Sequence, residues 1–156
     1  MKIIYTNEKI TNFTNTIFLA GPTPRNKNIP SWRKEALHYL EELNFNGTVI
    51  VPEYSNQSFI SKEGNIFDMS WDHMALEKTT AILMWIPRNL KDMPAFTSNI
   101  EFGYFIKSQK LLYGRPDDAP YMEYLDWLYE YETKKRPLTN LKNLCEEALE
   151  FLNSVK

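Results

Sequence analysis

Four short apolar runs recur along the chain, and each is followed by a turn or loop signal. They cover residues 17–20, 48–51, 80–86 and 110–113, which is the usual length of a β-strand. Because these runs are apolar without alternation, they are typical of strands that are covered on both faces, as in a parallel sheet. Residues 1–15 begin with a shorter apolar patch and predict either an extra edge strand or a loose arm.

Helical periodicity fills most of the chain between these runs. It predicts helices over 31–43, 70–78, 96–107 and 119–131, and a last amphipathic helix over 139–155. In the helix over 96–107, the spacing places Ile100, Gly103 or Tyr104, and Ile106 near one face. Residues 52–69 have no clear period and predict a long loop, of a kind that is often functional.

Strands that alternate with helices predict a parallel sheet with right-handed crossovers. We therefore expect a single α/β domain over residues 1–156, with a doubly wound, flavodoxin- or Rossmann-like sheet and helices on both faces. The sequence contains no repeats, no low-complexity tract and no obvious linker that would divide it.

Composition excludes several classes of function. The 18 basic and 20 acidic residues give a net charge of −2, which offers no electrostatic basis for binding nucleic acid or an anionic membrane. A single cysteine, Cys145, excludes an intrachain disulfide and fits a reducing compartment. With no signal-peptide pattern and no bilayer-length apolar segment, we expect a cytoplasmic protein. His38 and His73 have no metal-ligand spacing, so neither a metal nor another cofactor is expected.

The candidate chemistry lies after two of the predicted strands. The strand over 80–86 leads into a polar loop containing Pro94, and Glu101 follows near the start of the next helix. The strand over 17–20 leads into the turn 21–25. Ligands of open α/β sheets bind outside the carboxyl ends of the strands, so these two segments predict an active site.

Glu101 has two interpretations. It is the third residue after Ser98, which is the spacing of a capping box, and a glutamate near a helix N-terminus is favoured by the helix dipole. It is also placed as a nucleophilic carboxylate would be. Its position near the helix start predicts a lowered pKa and an ionised side chain, as an attacking carboxylate requires.

Asp92 and Asp72 are the other candidate acids. Asp92 lies in the loop after the third strand, where a solvated loop acid is the simpler explanation. Asp72 lies in the preceding helix, where it would interact with the helix dipole from the first turn. Carboxylates that converge on one cleft would shift each other's pKa and divide into acid and base roles.

The turn 21–25, with the sequence Gly-Pro-Thr-Pro-Arg, is the third candidate. Gly21 would allow close approach of a ligand, Thr23 would bond a ligand hydroxyl, and Arg25 would hold a carboxylate or phosphate. A proline-stiffened strand end with a surface arginine is the alternative. With a single glycine, this is not a dinucleotide-binding or Walker loop. Trp71 would stack on a base, whereas Trp85 is expected in the core.

Several motifs in a fixed order resemble the nucleoside 2-deoxyribosyltransferase-like family over roughly residues 16–131. The motifs are IFLAGPTPR ending at Arg25, SWR at 31–33, VIVPE at 49–53, Trp71-Asp72, AILMWIP at 81–87, PAFTSNIEFG at 94–103 and GRP at 114–116.

The resemblance implies a flavodoxin-like sheet and an enzyme that cleaves the N-glycosidic bond of 2′-deoxynucleosides. Glu101 matches the family glutamate that attacks C1′ and holds the sugar covalently. Asp72 matches the acid that helps to protonate the leaving base, and Asp92 resembles the loop acid upstream of the glutamate. A second base then takes the sugar. The family further implies a homo-oligomer, no cofactor, and as partners a nucleoside or nucleotide and a free base.

From this resemblance we expect Glu101, Asp72 and Asp92 to be catalytic. The expected substrate-binding residues are Gly21, Pro22, Thr23, Arg25, Trp71, Ser98 and Asn99. Two alternatives stay open: a hydrolase of deoxynucleoside 5′-monophosphates, for which Arg25 would bind the phosphate, and a non-catalytic module that binds a nucleoside or nucleotide.

Overall fold

In the computed structural model, which describes residues 1–26, 28–55 and 66–155, five strands form one sheet. They are β1 (Lys2–Tyr5), β2 (Thr16–Ala20), β3 (Thr48–Val51), β4 (Ala81–Trp85) and β5 (Leu111–Gly114). The strands are all parallel and lie in the order β1-β3-β2-β4-β5. The predicted doubly wound α/β fold is confirmed, and the N-terminal patch is the edge strand β1 rather than a loose arm.

Five α-helices connect and cover the strands. They are α1 (Arg33–Glu42), α2 (Ile66–Lys78), α3 (Phe96–Phe105), α4 (Glu123–Thr133) and α5 (Leu141–Ser154), and a 3₁₀ turn follows α3 at Ile106–Ser108. Helix α2 begins four residues before the sequence predicts. The remainder of the predicted loop over 52–69 falls largely on residues 56–65, outside the described residues. None of the described helices is long and apolar enough to cross a membrane.

The core has two layers, one on each face of the sheet. Alternate strand residues divide between them, so that Ile17 and Leu19 pack against α1 and α5, whereas Phe18 and Ala20 face the side of α2, α3 and α4. Since each strand buries both of its faces, its sequence is continuously apolar. The best-patterned helix, α5, buries Leu144, Cys145, Ala148 and Leu152 in the first layer.

The apolar face that the spacing predicts for α3 is largely exposed rather than packed against the sheet. Ile100 and Tyr104 are 73% and 63% exposed, whereas Phe102 and Phe105 are buried. Of the predicted set, Ile106 is buried, within the 3₁₀ turn. The helix carries apolar residues on two sides, and periodicity alone does not say which side faces the sheet.

Chain direction places the candidate site. Strands β2 and β4 are neighbours in the middle of the sheet. From β2 the chain continues to β3, towards one edge of the sheet, whereas from β4 it continues to β5, towards the other edge. The loops that leave these two strands therefore diverge and open a crevice at their carboxyl ends.

Candidate active site

A pocket of about 260 Å³ occupies this crevice. Its walls come from the loops after β2 and β4 and from the helices α1, α2 and α3, and they combine apolar, cationic and acidic groups. The lining residues are Phe18, Ala20, Gly21, Pro22, Thr23, Arg25, Arg33, Pro52, Asp72, Pro94, Ala95, Phe96, Thr97, Ser98 and Glu101.

The loop after β2 is held rigidly at one wall. Gly21 has φ of 141°, in a region that side-chain-bearing residues rarely adopt, and a Cβ there would collide with the carbonyl oxygen of Trp85. The indole of Trp32 donates a hydrogen bond of 3.0 Å to the carbonyl of Pro22. The glycine is therefore required by close packing of the backbone against β4.

Arg33 supports the loop after β2 from the interior of the protein. It is the first residue of α1, only 1% exposed, and its guanidinium forms an ion pair of 2.6 Å with Glu53, directly after β3. Arg33 has no predicted role from the sequence, where a charged residue is expected at the surface. A signal was present: Arg33 stands three and seven residues before Ala36 and Leu40, on the buried face of the helix.

Asp72 reaches the pocket from the second turn of α2. It is thus not a first-turn partner of the helix dipole. Its Oδ1 is buried and has no hydrogen-bond partner among the residues that the structure describes. Burial raises the pKa of Asp72 to about 7, with a further increase from Asp68, whereas Arg33 acts to lower it.

Glu101 reaches the same pocket from α3. It is the sixth residue of the helix, and the N-cap is Ala95, which makes no side-chain capping bond, so the capping-box interpretation is wrong. The expected lowering of its pKa is also wrong. Burial raises the pKa of Glu101 to about 7, and the charge of Asp72 raises it further, whereas Arg33 opposes the shift. Desolvation outweighs the helix dipole, which acts mainly within the first turn.

Two carboxyl groups with raised pKa values therefore share one pocket. Neither acid can ionise freely in the presence of the other, so near neutral pH the pair tends to hold one proton. Such an arrangement supplies an anion and a proton donor together. These are the two groups that nucleophilic attack combined with general acid catalysis requires.

The loop after β4 forms the opposite rim. Ala95 has φ of 62°, a left-handed conformation that costs energy for alanine and that starts α3 at the pocket wall. Ser98 is buried in this wall, and Phe96 is 66% exposed at its outer end. The guanidinium of Arg25 lies 5.8 Å from the centre of the Phe96 ring, so the two loops meet across the mouth of the pocket.

Seven of the ten expected site residues line this pocket: Gly21, Pro22, Thr23, Arg25, Asp72, Ser98 and Glu101. The other three lie outside its lining. The backbone carbonyl of Asp92 accepts a hydrogen bond from the Arg25 amide. The indole of Trp71 donates to the carbonyl of Glu8, and the side-chain oxygen of Asn99 accepts from Arg88.

These contacts give Asp92 and Asn99 supporting positions around the loop after β4, and they leave Trp71 against the N-terminal segment. Among residues 1–26, 28–55 and 66–155, no group of three or more His, Cys, Asp or Glu side chains is placed to hold a metal ion.

Comparison with known proteins gives one family match. A family profile described as nucleoside 2-deoxyribosyltransferase like matches residues 14–119, more than half of the chain, and this segment contains every residue of the pocket lining. No curated protein sequence matches the chain.

Proposed function

The chain belongs to the nucleoside 2-deoxyribosyltransferase-like family, and we propose that it cleaves the N-glycosidic bond of 2′-deoxynucleosides and transfers the sugar to another base. The family by itself suggests a glycosyltransferase-like enzyme. The finer assignment is supported mainly by one observation: Asp72 and Glu101 enter one pocket with pKa values raised to about 7.

Glu101, when ionised, is the nucleophile. Its carboxylate oxygen forms a bond to C1′ of the sugar as the bond between C1′ and the base nitrogen breaks. The transition state has oxocarbenium character, so the negative charge stabilises it before the new bond is complete. Burial assists, because the carboxylate is only weakly solvated and loses little water on attack.

Asp72, when protonated, is the acid. It gives its proton to the departing base, which would otherwise leave as an anion. The unpaired, buried Oδ1 supports this role, since a ligand atom would provide the partner that the described residues do not. An incoming base then attacks C1′, the ester to Glu101 breaks, and the proton of that base returns to Asp72.

The loops at the rim bind the rest of the substrate in this proposal. Gly21 and Pro22 leave space for the sugar, Thr23 offers a hydroxyl, and Ser98 offers a second one from the opposite wall. Asp92, Asn99 and Trp71 would act through the loops and segments that they hold.

Mass spectrometry of quenched reactions tests the mechanism directly. The protein is mixed with a 2′-deoxynucleoside, quenched in acid and digested, and the peptide containing Glu101 should gain the mass of one deoxyribosyl unit. Glu101→Gln should lose both the adduct and base exchange. Glu41→Gln, an exposed glutamate at the end of α1, is the matched control and should retain both. Unmodified wild-type protein under turnover, or exchange by Glu101→Gln at a normal rate, would refute the assignment.

Arg25 supports a second candidate, hydrolysis of deoxynucleoside 5′-monophosphates. Its side chain is exposed at the pocket rim and makes no ion pair with any described residue. A guanidinium in that position suits a phosphate group. Water would then replace the second base.

Paired substrates separate the two candidates. A nucleoside and its 5′-monophosphate are each incubated with and without a free second base. Transfer to the base from the nucleoside supports the transferase, and release of free base from the monophosphate alone supports the hydrolase. Binding of both without any turnover would instead identify a non-catalytic binding module.

We further propose that the protein acts as a homo-oligomer. Phe96, Ile100 and Tyr104 form an exposed apolar stripe along α3, with 66%, 73% and 63% of their surfaces exposed. The stripe begins at the pocket rim, so a second copy covering it would also border the site. Exposed apolar patches of this kind are typical of interaction surfaces.

Light scattering after gel filtration tests this assembly. Ile100→Glu places a charge in the middle of the stripe and should shift the protein towards the monomer. Val155→Glu, an exposed apolar residue beyond α5 on the opposite face of the sheet, is the control and should leave the mass unchanged. A monomeric wild-type protein at micromolar concentration would contradict the proposal.

A further inference from the structure

Arg33 uses its guanidinium to fix the loop that leaves β2. Its Nε donates to the carbonyl of Leu19 at 2.9 Å, and one terminal nitrogen donates to the carbonyl of Gly21 at 2.5 Å. The other terminal nitrogen donates to the hydroxyl oxygen of Thr23 at 3.1 Å and to the carboxylate of Glu53 at 2.6 Å. A side chain that is almost wholly buried thus contacts one residue of β2 and two residues of the loop that follows it.

Glu53 holds this guanidinium in place. It follows β3, and its Oε1 also accepts a hydrogen bond of 2.6 Å from Ser31. The hydroxyl of Ser31 in turn accepts from the backbone amide of Arg33 at 3.2 Å. The ion pair therefore ties the ends of two neighbouring strands together. Since buried ion pairs contribute little to stability compared with apolar packing, the cost of burying this one suggests a role in geometry.

Thr23 lines the pocket together with Gly21 and Arg33, and it is the member of this network whose side-chain hydroxyl can donate to a ligand. Its oxygen accepts from Arg33, so its own hydrogen cannot point at the guanidinium. Among the described residues, the Thr23 hydroxyl accepts this bond and donates none. The hydroxyl is consequently available as a donor, and the hydrogen bond that it accepts restricts its orientation before any ligand arrives.

We propose that Arg33, held by Glu53, is a positioning residue that turns the Thr23 hydroxyl into a fixed hydrogen-bond donor for the substrate. The donor takes a hydrogen-bond acceptor of the nucleoside, an oxygen or a ring nitrogen. With Thr23 and Arg25 on one loop and two acids opposite, the pocket offers donors at one wall and carboxyl groups at the other. The inference rests on the proposed function, because it takes a 2′-deoxynucleoside as the ligand.

Binding to a chemically silent protein tests the donor. Calorimetric affinities for the four natural 2′-deoxynucleosides are measured with Glu101→Gln as the background. Thr23→Val, which keeps the shape but loses the donor, should weaken binding of the preferred nucleoside by roughly three- to tenfold. Thr23→Ser should recover most of that loss. Thr11→Val, at an exposed threonine outside the pocket lining, is the matched control.

A double-mutant cycle tests the action of Arg33 through Thr23. Arg33→Lys keeps the charge but loses the fork, and should weaken binding in the Glu101→Gln background. In the Thr23→Val background the same change should weaken binding much less, because the donor that it orients is already gone. A purely structural role would give the same loss in both backgrounds. Glu53→Gln provides a second variant if Arg33→Lys does not fold.

The outcomes separate this inference from the proposed function. If the Glu101→Gln background binds none of the nucleosides, the proposed substrate class is wrong and this inference falls with it. If the background binds a nucleoside and Thr23→Val binds it equally well, this inference alone is overturned. Additive effects of the Thr23 and Arg33 changes would overturn the positioning role.

Discussion

Asp72 on α2 and Glu101 on α3 enter one pocket from different helices, and the charge of Asp72 raises the pKa of Glu101 there. The two acids are therefore one titrating unit rather than two separate groups. Their pKa values, both raised to about 7 chiefly by burial, place the shared proton in the physiological range.

The first prediction is a bell-shaped dependence of kcat/KM on pH, with its maximum near neutrality. Activity should rise as the pair loses its first proton, because Glu101 must be ionised to attack. It should fall as the second proton leaves, because Asp72 must be protonated to release the base. Initial rates between about pH 5 and pH 9 measure this profile. A rate that is constant over the whole interval would contradict the division of roles.

The second prediction concerns Asp72→Asn. In the active form Asp72 is protonated and uncharged while Glu101 is ionised, so replacing Asp72 by the neutral asparagine should leave the rise of activity on the acid side nearly unchanged. The fall on the alkaline side should disappear, because the acid is gone. Cleavage of nucleosides with poor leaving bases should slow by on the order of 100-fold, and good leaving bases should be affected less. Equal slowing for both kinds of base would argue against proton donation.

The third prediction is that the site lowers the stability of the protein at alkaline pH. Burial raises the pKa of Glu101 from 4.5 to about 7, so the folded state holds this proton more tightly than the unfolded state. The free energy of unfolding should accordingly decrease as pH rises between these two values and then level off. Glu101→Gln should remove a penalty on the order of 3 kcal/mol at pH 8 and have little effect near pH 4.

Urea denaturation of wild type and Glu101→Gln at both pH values measures this difference. Comparing the two proteins cancels the contributions of titrating groups that do not interact with Glu101, so the remaining difference belongs to the pair that it forms with Asp72. A difference in unfolding free energy that does not change with pH would mean that Glu101 is not desolvated in the folded protein.

The fourth prediction contrasts two glycines. Gly21→Ala forces a Cβ against the carbonyl of Trp85 and to within 2.9 Å of the Trp32 ring, in an unfavourable backbone conformation. It should lower the free energy of unfolding by on the order of 3 kcal/mol. Gly103→Ala, on the exposed side of α3 with nothing within 4 Å of the new atom, should raise it by about 0.5–1 kcal/mol. Thermal unfolding of the two variants beside wild type measures both changes: Gly21→Ala should unfold at a lower temperature than wild type, and Gly103→Ala at a higher one.

The fifth prediction concerns Cys145, which is fully buried between α5 and α1. Burial raises the pKa of its thiol to about 12, so almost no thiolate exists at neutral pH. Alkylation by iodoacetamide should be negligible in the native protein and rapid after denaturation in urea. Rapid modification of the native protein would show that the packing of α5 opens frequently.

The strands and the edge of the sheet that holds the site were predictable from local pattern. A run such as Ala81–Trp85 is apolar at every position and is followed by a polar loop. This pattern is typical of a short strand that is covered on both faces of a sheet. Glu101 and Asp72 were also identifiable, through the motifs that surround them. These features depend on residues that are close in sequence.

Properties that depend on distant residues were not predictable in the same way. The charge state of Glu101 is set by burial and by Asp72, a residue on another helix, so its pKa could not be inferred from its position near the start of α3. The role of Arg33 depends on Glu53, which lies 20 residues away and beyond another strand. The buried side of α3 depends on how the helix docks on the sheet, and its exposed Ile100 resembles a core residue in sequence.

Phe96 belongs both to the wall of the pocket and to the exposed stripe of α3. A macromolecule that covers the stripe and a small molecule that fills the pocket therefore share one aromatic ring. Binding free energies at two sites that share a group are reciprocal. Whatever factor substrate occupancy applies to the affinity of association, association applies the same factor to the affinity for substrate. The substrate dissociation constant per chain should therefore vary as the protein is diluted.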